Sequence, residues 1–209
     1  MKLIVFGATG GVGSQVVAQS LAAGHNVTAL ARTPSVITLQ NPHLRVVGGD
    51  VFDPATLVQA IDGQEVVVSS LGVTRSANTT LFSVGISNIL RAMREADVHR
   101  LICISASALD LKSGPLVQQW FAKPLLWRLF KDANTDMAHM ETIVQASDME
   151  WTIIRPPRLT NGVRTGRYMV AVGKGLSNGW FLSRADLADY IVGHLNDPTT
   201  YRAFVDIAY

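Results

Sequence analysis

Cysteine, charged side chains and long apolar runs are all scarce in this chain. Its 209 residues include one cysteine, Cys103, so no internal disulfide can form, and the surrounding RLICIS predicts a buried core thiol rather than a reactive one. The charged fraction is 16% and the formal net charge is +2, which gives nucleic-acid binding no support. No apolar stretch reaches the length of a membrane span, and the first is too short for a secretory signal. We expect a soluble, cytoplasmic protein.

Six apolar runs rich in β-branched residues recur along the chain, with helical patterns between them. Near-continuous apolar strands that alternate with helices are typical of a parallel sheet covered on both faces. A chain of this length is long enough for one large core. The sequence therefore predicts the α/β class, with a doubly wound parallel sheet in a single domain over residues 1–209. The predicted strands are KLIVF, NVTAL, LRVVG, EVVVSS, RLICIS and WTIIRP.

Individual residues mark the ends of the predicted helices. Gly24 and Gly63 stand where the first and second helices should end, and Asp53 is placed to cap the start of the second helix. The segment SRAD, residues 183–186, has the pattern of a capping box for a last helix that runs to about Leu195.

The first strand ends in a glycine-rich segment, GATGGVG, in which Gly7, Gly10 and Gly13 stand three residues apart. Glycines between a strand and a helix allow a tight turn, close approach of a pyrophosphate to the backbone, and close packing of helix against strand. The helix N-terminus adds free N–H groups and a partial positive charge. Because a predicted strand precedes the segment and a predicted helix follows it, the segment predicts a dinucleotide site.

Residues after the second and third strands indicate which dinucleotide is bound. Arg32 stands where an enzyme for NAD normally carries Asp or Glu, and a basic residue there accommodates the 2′-phosphate of NADP. With the hydroxyls of Thr33 and Ser35 nearby in sequence, the pattern favours NADP(H); the alternative is an arginine that is simply exposed on the surface. Asp50 follows the third strand, where its carboxylate could accept from the adenine amino group or could cap a turn.

Five segments, in this order and over nearly the whole chain, resemble an atypical short-chain dehydrogenase/reductase: GATGGVG, GGDVFD, SSLG, CISAS and WTIIRPPRLT. The likeness is to the biliverdin reductase B and flavin reductase group, alongside the NmrA-like NAD(P)-binding proteins. It implies an NAD(P)-binding Rossmann fold and NADP(H) as the cofactor. The resemblance implies that the cofactor-binding residues are Gly7, Thr9, Gly10, Gly11, Val12 and Gly13 at the pyrophosphate, Arg32 and Thr33 at the 2′-phosphate, Asp50 and Val51 at adenine, Ser70, Leu71 and Gly72 at ribose, Ser105 at the nicotinamide, and Pro156, Pro157 and Arg158 at its carboxamide.

The chain lacks the Tyr-x-x-x-Lys motif with which ordinary members of that superfamily protonate a carbonyl. The corresponding helix reads DANTDMAHMETIVQAS, with Ala133 and Met137 about where the tyrosine and lysine would stand. A flavin, quinone or linear tetrapyrrole is therefore a more suitable acceptor than a ketone, because hydride transfer leaves a delocalised anion that water can protonate. Ser105, at the carboxyl end of a strand, is the predicted catalytic residue, as a positioning group that could also pass a proton from water. His139 is an alternative acid.

Several side chains are candidates for binding a planar acceptor. Trp120 and Phe121 belong to an aromatic segment, residues 115–130, that follows the fifth strand. The segment could form a lid over the acceptor, part of the core or a subunit contact. Residues 156–182 predict a loop and hairpin on the substrate side. The five histidines do not pair with carboxylates at ligand spacing, so no metal is expected. The predicted substrate-binding residues are Ser107, Trp120, Phe121, His139 and Arg158.

Two functions from different classes fit these observations. The first is an NADPH-dependent reductase that transfers hydride from nicotinamide to a flavin, quinone or bilin without a Tyr-Lys acid. The second is an NmrA-like regulatory protein that senses NADP(H) without turnover. Reduction of a carbonyl, with Ser105 or His139 in place of the tyrosine, is a third. We expect a small planar molecule as the substrate, no nucleic-acid or membrane partner, and either a monomer or a homodimer.

Overall fold

The computed structural model describes residues 1–73, 79–107, 131–176 and 178–209. Within these ranges the chain forms ten strands and five α-helices. The strands are β1 (Lys2–Phe6), β2 (Asn26–Ala31), β3 (Leu44–Gly48), β4 (Val66–Ser69), β5 (Arg100–Ile104), β6 (Glu150–Arg155), β7 (Arg158–Thr160), β8 (Met169–Val172), β9 (Phe181–Ser183) and β10 (Ala203–Ala208). The helices are α1 (Gly11–Ala22), α2 (Pro54–Ile61), α3 (Leu81–Glu95), α4 (Lys131–Gln145) and α5 (Arg184–Gly193).

Eight strands form one sheet in the order β3-β2-β1-β4-β5-β6-β10-β8. All neighbours in it are parallel except β8, which runs antiparallel to β10 at the edge. The chain order reverses between β1 and β4, and a reversal of this kind is where open α/β sheets bind their ligands. The predicted doubly wound parallel sheet is confirmed, and each of the six predicted strands is present.

Helices cover both faces of the sheet. Helices α1 and α5 pack together on one face, and α3 packs between α2 and α4 on the other. The central strands are buried along nearly their whole length because both of their faces meet helices. Two apolar clusters result, one on each side of the sheet. This is the reason for the near-continuous apolar runs in the sequence.

The residues predicted to end and begin helices do so. Gly24 and Gly63 have φ of +80° and +69° just beyond α1 and α2, a backbone conformation that favours glycine at a helix end. The Asp53 side chain accepts a hydrogen bond from the Ala55 N–H at 3.2 Å at the start of α2. Ser183 caps α5 by accepting from the Asp186 N–H at 2.9 Å.

A side chain from another helix caps α3. The buried Asp136 of α4 accepts from the backbone N–H of Phe82 at 2.8 Å and of Ser83 at 3.2 Å, and it also accepts from the Ser83 hydroxyl. These are N–H groups of the first helical turn that have no partner within the helix. The contact therefore stabilises the start of α3 and fixes α4 against it.

The prediction of a hairpin within residues 156–182 is wrong. The short strands β7 and β9 pair with each other in parallel, whereas β8 between them joins the main sheet beside β10. Strand β8 pairs with β10, which follows β9 and α5 in the chain. The local sequence therefore carries no signal of the pairing.

Cys103 lies in the core, as predicted, and burial raises the pKa of its thiol well above the ordinary range. In the part of the chain that the structure describes, no helix is both long enough and apolar enough to cross a bilayer.

Candidate active site

A cavity of about 700 Å³ opens at the carboxyl ends of β1 to β5, at the point where the strand order reverses. Cavities of this volume are typical of sites that bind a cofactor or a small-molecule substrate. Twelve of the predicted cofactor residues line it: Gly7, Thr9, Gly10, Gly11, Val12, Arg32, Asp50, Val51, Ser70, Leu71, Gly72 and Ser105.

The glycine segment makes a turn so tight that larger residues would collide with the backbone. Gly7 has a φ of +74°, and a Cβ built on it would lie 2.4 Å from the carbonyl oxygen of Ser70. A Cβ on Gly13 would lie 2.1 Å from the Gly7 oxygen. Gly13 does not line the cavity; its role is to let α1 pack against the turn. The Ser70 hydroxyl donates to the Phe6 carbonyl at 2.8 Å, which joins the ends of β1 and β4.

The N-terminus of α1 is open toward the cavity. Gly10 is its N-cap residue, and in the described part of the chain no side chain caps the helix. Its first turn contains no acidic residue. Gly11 and Val12 line the cavity, so the first turn of the helix meets it with free N–H groups and the positive end of the helix dipole. This arrangement suits an anionic group such as a pyrophosphate.

Arg184, the first residue of α5, reaches the same place from the other end of the chain. A Cβ built on Gly11 would lie 2.7 Å from its Cδ and 2.8 Å from its Nε. Its Nη1 donates to Asn161 Oδ1 at 2.7 Å, and the residue lines the cavity. Arg184 was not among the predicted site residues. The available signal was the capping box, which places it at a helix start, together with the additional glycine at position 11.

Arg32 and Asp50 lie on the wall of the cavity formed by the ends of β2 and β3. Arg32 is exposed, and among the described residues no hydrogen-bond or ion-pair partner is found for its guanidinium. Asp50 Oδ1 accepts from the Phe52 N–H at 3.0 Å and so caps its own turn. Phe52, which was not predicted as a site residue, lines the cavity beside it.

Ser105 lies at the end of β5, is buried, and lines the cavity. Its hydroxyl donates to Glu141 Oε1 at 2.6 Å. Glu141, from α4, forms an ion pair with Arg155 of β6, whose Nη2 lies 2.6 Å from Oε2. Neither residue of this pair was predicted as part of the site, because each is brought to Ser105 by a different element of the fold.

The face of α4 that lines the cavity carries Ala133, Asn134 and Met137. Ala133 and Met137 are the two positions predicted to stand about where the missing tyrosine and lysine would be. The asparagine between them was not predicted. No group of three His, Cys, Asp or Glu side chains placed to hold a metal ion is found within the described ranges.

The remaining predicted site residues do not line this cavity. Pro156 is buried and its carbonyl accepts from the Ser107 N–H at 3.0 Å, which links the loops after β5 and β6. His139 is exposed on α4. Thr33, Pro157 and Arg158 also lie outside the cavity lining. Trp120 and Phe121 fall outside the described residues.

A doubly wound sheet with a glycine turn and an open helix N-terminus at its reversal point defines a dinucleotide-binding protein. The chain matches the NAD(P)H-binding family over residues 7–198, and it belongs to that family. The predicted fold and cofactor class are thereby confirmed.

Three relatives illustrate the range of proteins to which the chain is similar. It is 32% identical over 126 residues to the isoflavone reductase homolog IRL of Zea mays, a match that covers 56% of this chain and 38% of that protein. A short-chain dehydrogenase/reductase from Veillonella parvula DSM 2008, solved in complex with NADP, has a TM-score of 0.82 at 19% identity over 100% of this chain and 94% of that one. ChuY, an anaerobillin reductase from Escherichia coli O157:H7, has a TM-score of 0.77 at 21% identity over 100% and 97%.

The chain spans from about a third to just over a half of the length of several curated relatives. The match covers 38% of the maize protein and 33% and 55% of two others. At the identities of the two solved structures, the likeness establishes the shared fold.

Proposed function

We propose that this protein is an NADPH-dependent reductase that transfers hydride from nicotinamide to a conjugated acceptor of the flavin, quinone or bilin type. NADPH supplies the hydride when bound. The residues of the chain bind the dinucleotide, orient its ring at Ser105 and leave the acceptor to take its proton from water. Such a reaction depends chiefly on proximity and on the alignment of two flat π-systems.

The observation that carries this proposal is the chemistry of the cavity wall. Among the described lining residues, the ionisable ones are Arg32, Asp50 and Arg184. Arg32 and Asp50 follow β2 and β3, whereas Arg184 lies against Gly11. The α4 face contributes Ala133, Asn134 and Met137 instead of an acid. A carbonyl substrate needs a proton donor in the transition state, and a conjugated acceptor needs none.

The preference for NADPH rests on Arg32. Its exposed guanidinium, at the end of β2, would form a charge-assisted contact with the 2′-phosphate. The N-terminus of α1 and Arg184 would hold the pyrophosphate, while Asp50, Val51 and Phe52 would border adenine. The structural likeness to a bilin reductase supports a conjugated acceptor, since it gives a precedent for such a substrate on this fold.

The test follows the absorbance of reduced nicotinamide with purified protein, NADPH or NADH, and a panel of acceptors. The panel contains FMN, riboflavin, biliverdin, simple quinones and small aldehydes. We expect turnover with at least one conjugated acceptor, none with aldehydes, and a preference for NADPH. A Gly7→Val variant, whose side chain would collide with the Ser70 backbone, gives the background rate of NADPH oxidation in the absence of an intact cofactor site.

Two results would contradict the proposal. Turnover of aldehydes in preference to conjugated acceptors would show that the cavity supplies an acid after all. Tight binding of NADPH with no oxidation by any acceptor would instead favour a regulatory protein that senses NADP(H).

A further inference from the structure

Ser105, Glu141 and Arg155 form a continuous chain of polar contacts behind the cavity. Ser105 Oγ donates to Glu141 Oε1 at 2.6 Å. Arg155 donates from Nε to Oε1 at 2.9 Å and from Nη2 to Oε2 at 2.6 Å. Both oxygens of the carboxylate are thus engaged, and Oε1 accepts from two donors at once.

The direction of the hydrogen bond from Ser105 decides what its hydroxyl can offer a ligand. A serine hydroxyl has one proton to donate and two lone pairs with which to accept. An ionised carboxylate has no proton to return. Ser105 lines the cavity, and as long as Glu141 accepts its proton, the hydroxyl can serve a ligand as an acceptor only.

The surroundings hold this arrangement in place. Ser105 and Glu141 are each 5% exposed, and the Arg155 guanidinium carbon lies 3.7 Å from the centre of the Phe204 ring. Turning the hydroxyl toward the cavity would remove one hydrogen bond from a buried carboxylate. The loss of a hydrogen bond from a buried charged group costs considerable free energy. The bidentate contact from Arg155 also fixes the plane of the carboxylate.

We propose that Glu141 and Arg155 are positioning residues that fix Ser105 as a hydrogen-bond acceptor, and that Ser105 selects a ligand group that donates a hydrogen bond. This inference rests on the proposed dinucleotide function. The donor is then the carboxamide NH2 of the nicotinamide, whose orientation decides which face of the ring is presented to the acceptor. It follows that Ser105 does not protonate the substrate, in contrast to the proton-passing role considered from the sequence.

The test compares the binding of NADP+ with that of its 3-acetylpyridine analogue, which keeps the carbonyl but lacks the NH2 donor. Calorimetry gives the ratio of the two dissociation constants for the wild type and for Ser105→Ala. We expect the preference for NADP+ to fall by about threefold to tenfold in the variant, as the loss of one hydrogen bond predicts. Ser20→Ala, which removes a buried hydroxyl elsewhere, should leave the ratio unchanged.

Glu141→Leu tests the positioning role. It removes the carboxylate that accepts from Ser105 and puts no acceptor in its place, which frees the hydroxyl proton to point into the cavity. We expect the preference for NADP+ to fall here as well, although Ser105 is still present. A merely structural role for Glu141 would weaken both ligands equally and leave the ratio unchanged. If this variant fails to fold, Ser105→Ala alone still decides the acceptor role.

Binding of 2′,5′-ADP, which has no nicotinamide, separates this inference from the proposed function. If the wild type and Ser105→Ala bind 2′,5′-ADP equally but also show the same ratio for the two nicotinamide ligands, the acceptor role is wrong and dinucleotide binding survives. If neither 2′,5′-ADP nor NADP+ binds, the proposed function fails and the inference fails with it.

Discussion

Arg184 crosses the glycine turn at Gly11, and its Cδ and Nε lie 2.7 and 2.8 Å from where a Cβ of residue 11 would stand. The absence of a side chain at this position therefore makes room for a guanidinium as well as for a ligand. The contact joins the first residue of α5 to the N-terminus of α1. It places a full positive charge beside the partial charge of the helix, where two phosphates of a dinucleotide would lie.

Replacement of Arg184 by Gln should weaken NADPH and NADH to the same degree. Both cofactors carry the pyrophosphate, and the loss of a charge-assisted contact lowers affinity by about tenfold or more. Dissociation constants from fluorescence titration would measure the effect. Arg167→Gln, which removes an exposed charge outside the cavity, is the matched control. A loss confined to NADPH would mean that Arg184 contacts the 2′-phosphate instead.

Replacement of Arg32 by Ala should weaken the binding of NADPH selectively. Only NADPH has a 2′-phosphate, so its affinity should fall by about tenfold to a hundredfold while that of NADH stays nearly constant. Arg45→Ala, at an exposed arginine on β3 that does not line the cavity, controls for the change in net charge. Equal losses for the two cofactors would remove the basis for an NADP preference.

Gly13→Ala should destabilise the fold and abolish cofactor binding. The new Cβ would lie 2.1 Å from the Gly7 carbonyl oxygen, and a backbone atom cannot move aside without opening the turn. We expect a loss of about 1–3 kcal/mol in the free energy of unfolding, measured with urea. At Gly193, a Cβ meets nothing within 4 Å, so Gly193→Ala should leave stability unchanged or raise it by up to about 1 kcal/mol. A stable Gly13→Ala variant that still binds NADPH would show that the turn can relax.

Features that depend on local sequence were predicted well. The strands follow from apolar runs, and the ends of α1 and α2 follow from Gly24 and Gly63, because each signal lies within a few residues of the structure it produces. The glycine turn belongs to the same class. Its preceding strand and following helix are contiguous with it, so GATGGVG predicts where the candidate site lies without knowledge of the fold.

Features that depend on distant pairings were missed. Arg184 meets Gly11 only because α5 packs beside α1, and Glu141 meets Ser105 only because α4 packs against β6, the neighbour of β5 in the sheet. The hairpin prediction failed for the same reason, since β8 pairs with β10 rather than with its neighbour in sequence. Spacing along one segment carries no information about such contacts. The sequence therefore predicted the glycine turn of the candidate site but only some of the residues that surround it.

Asp186, in the first turn of α5, ties the loop before β8 to the helix. The residue is fully buried, and its Oδ1 accepts from the N–H groups of Thr165 at 2.7 Å and Gly166 at 2.9 Å. Its Oδ2 accepts from the hydroxyls of Thr165 and Tyr209. Burial by itself would raise the pKa of the carboxyl, but the hydrogen bonds from Tyr209, Thr165 and Gly166 outweigh burial and hold the pKa below its ordinary value.

This lowered pKa predicts how the contribution of Asp186 to stability depends on pH. A carboxyl with a lower pKa in the folded chain stabilises the fold fully above its unfolded pKa of about 3.9, and the contribution disappears as the pH falls through the folded value. Asp186→Asn should therefore reduce the free energy of unfolding by about 1–3 kcal/mol at pH 7, and the gap from the wild type should narrow at low pH. Urea unfolding at several pH values measures this gap. The exposed Asp62→Asn should stay within about 0.5 kcal/mol of the wild type. A gap for Asp186→Asn that is the same at pH 7 and in acid would show that shape, rather than charge, gives this residue its role.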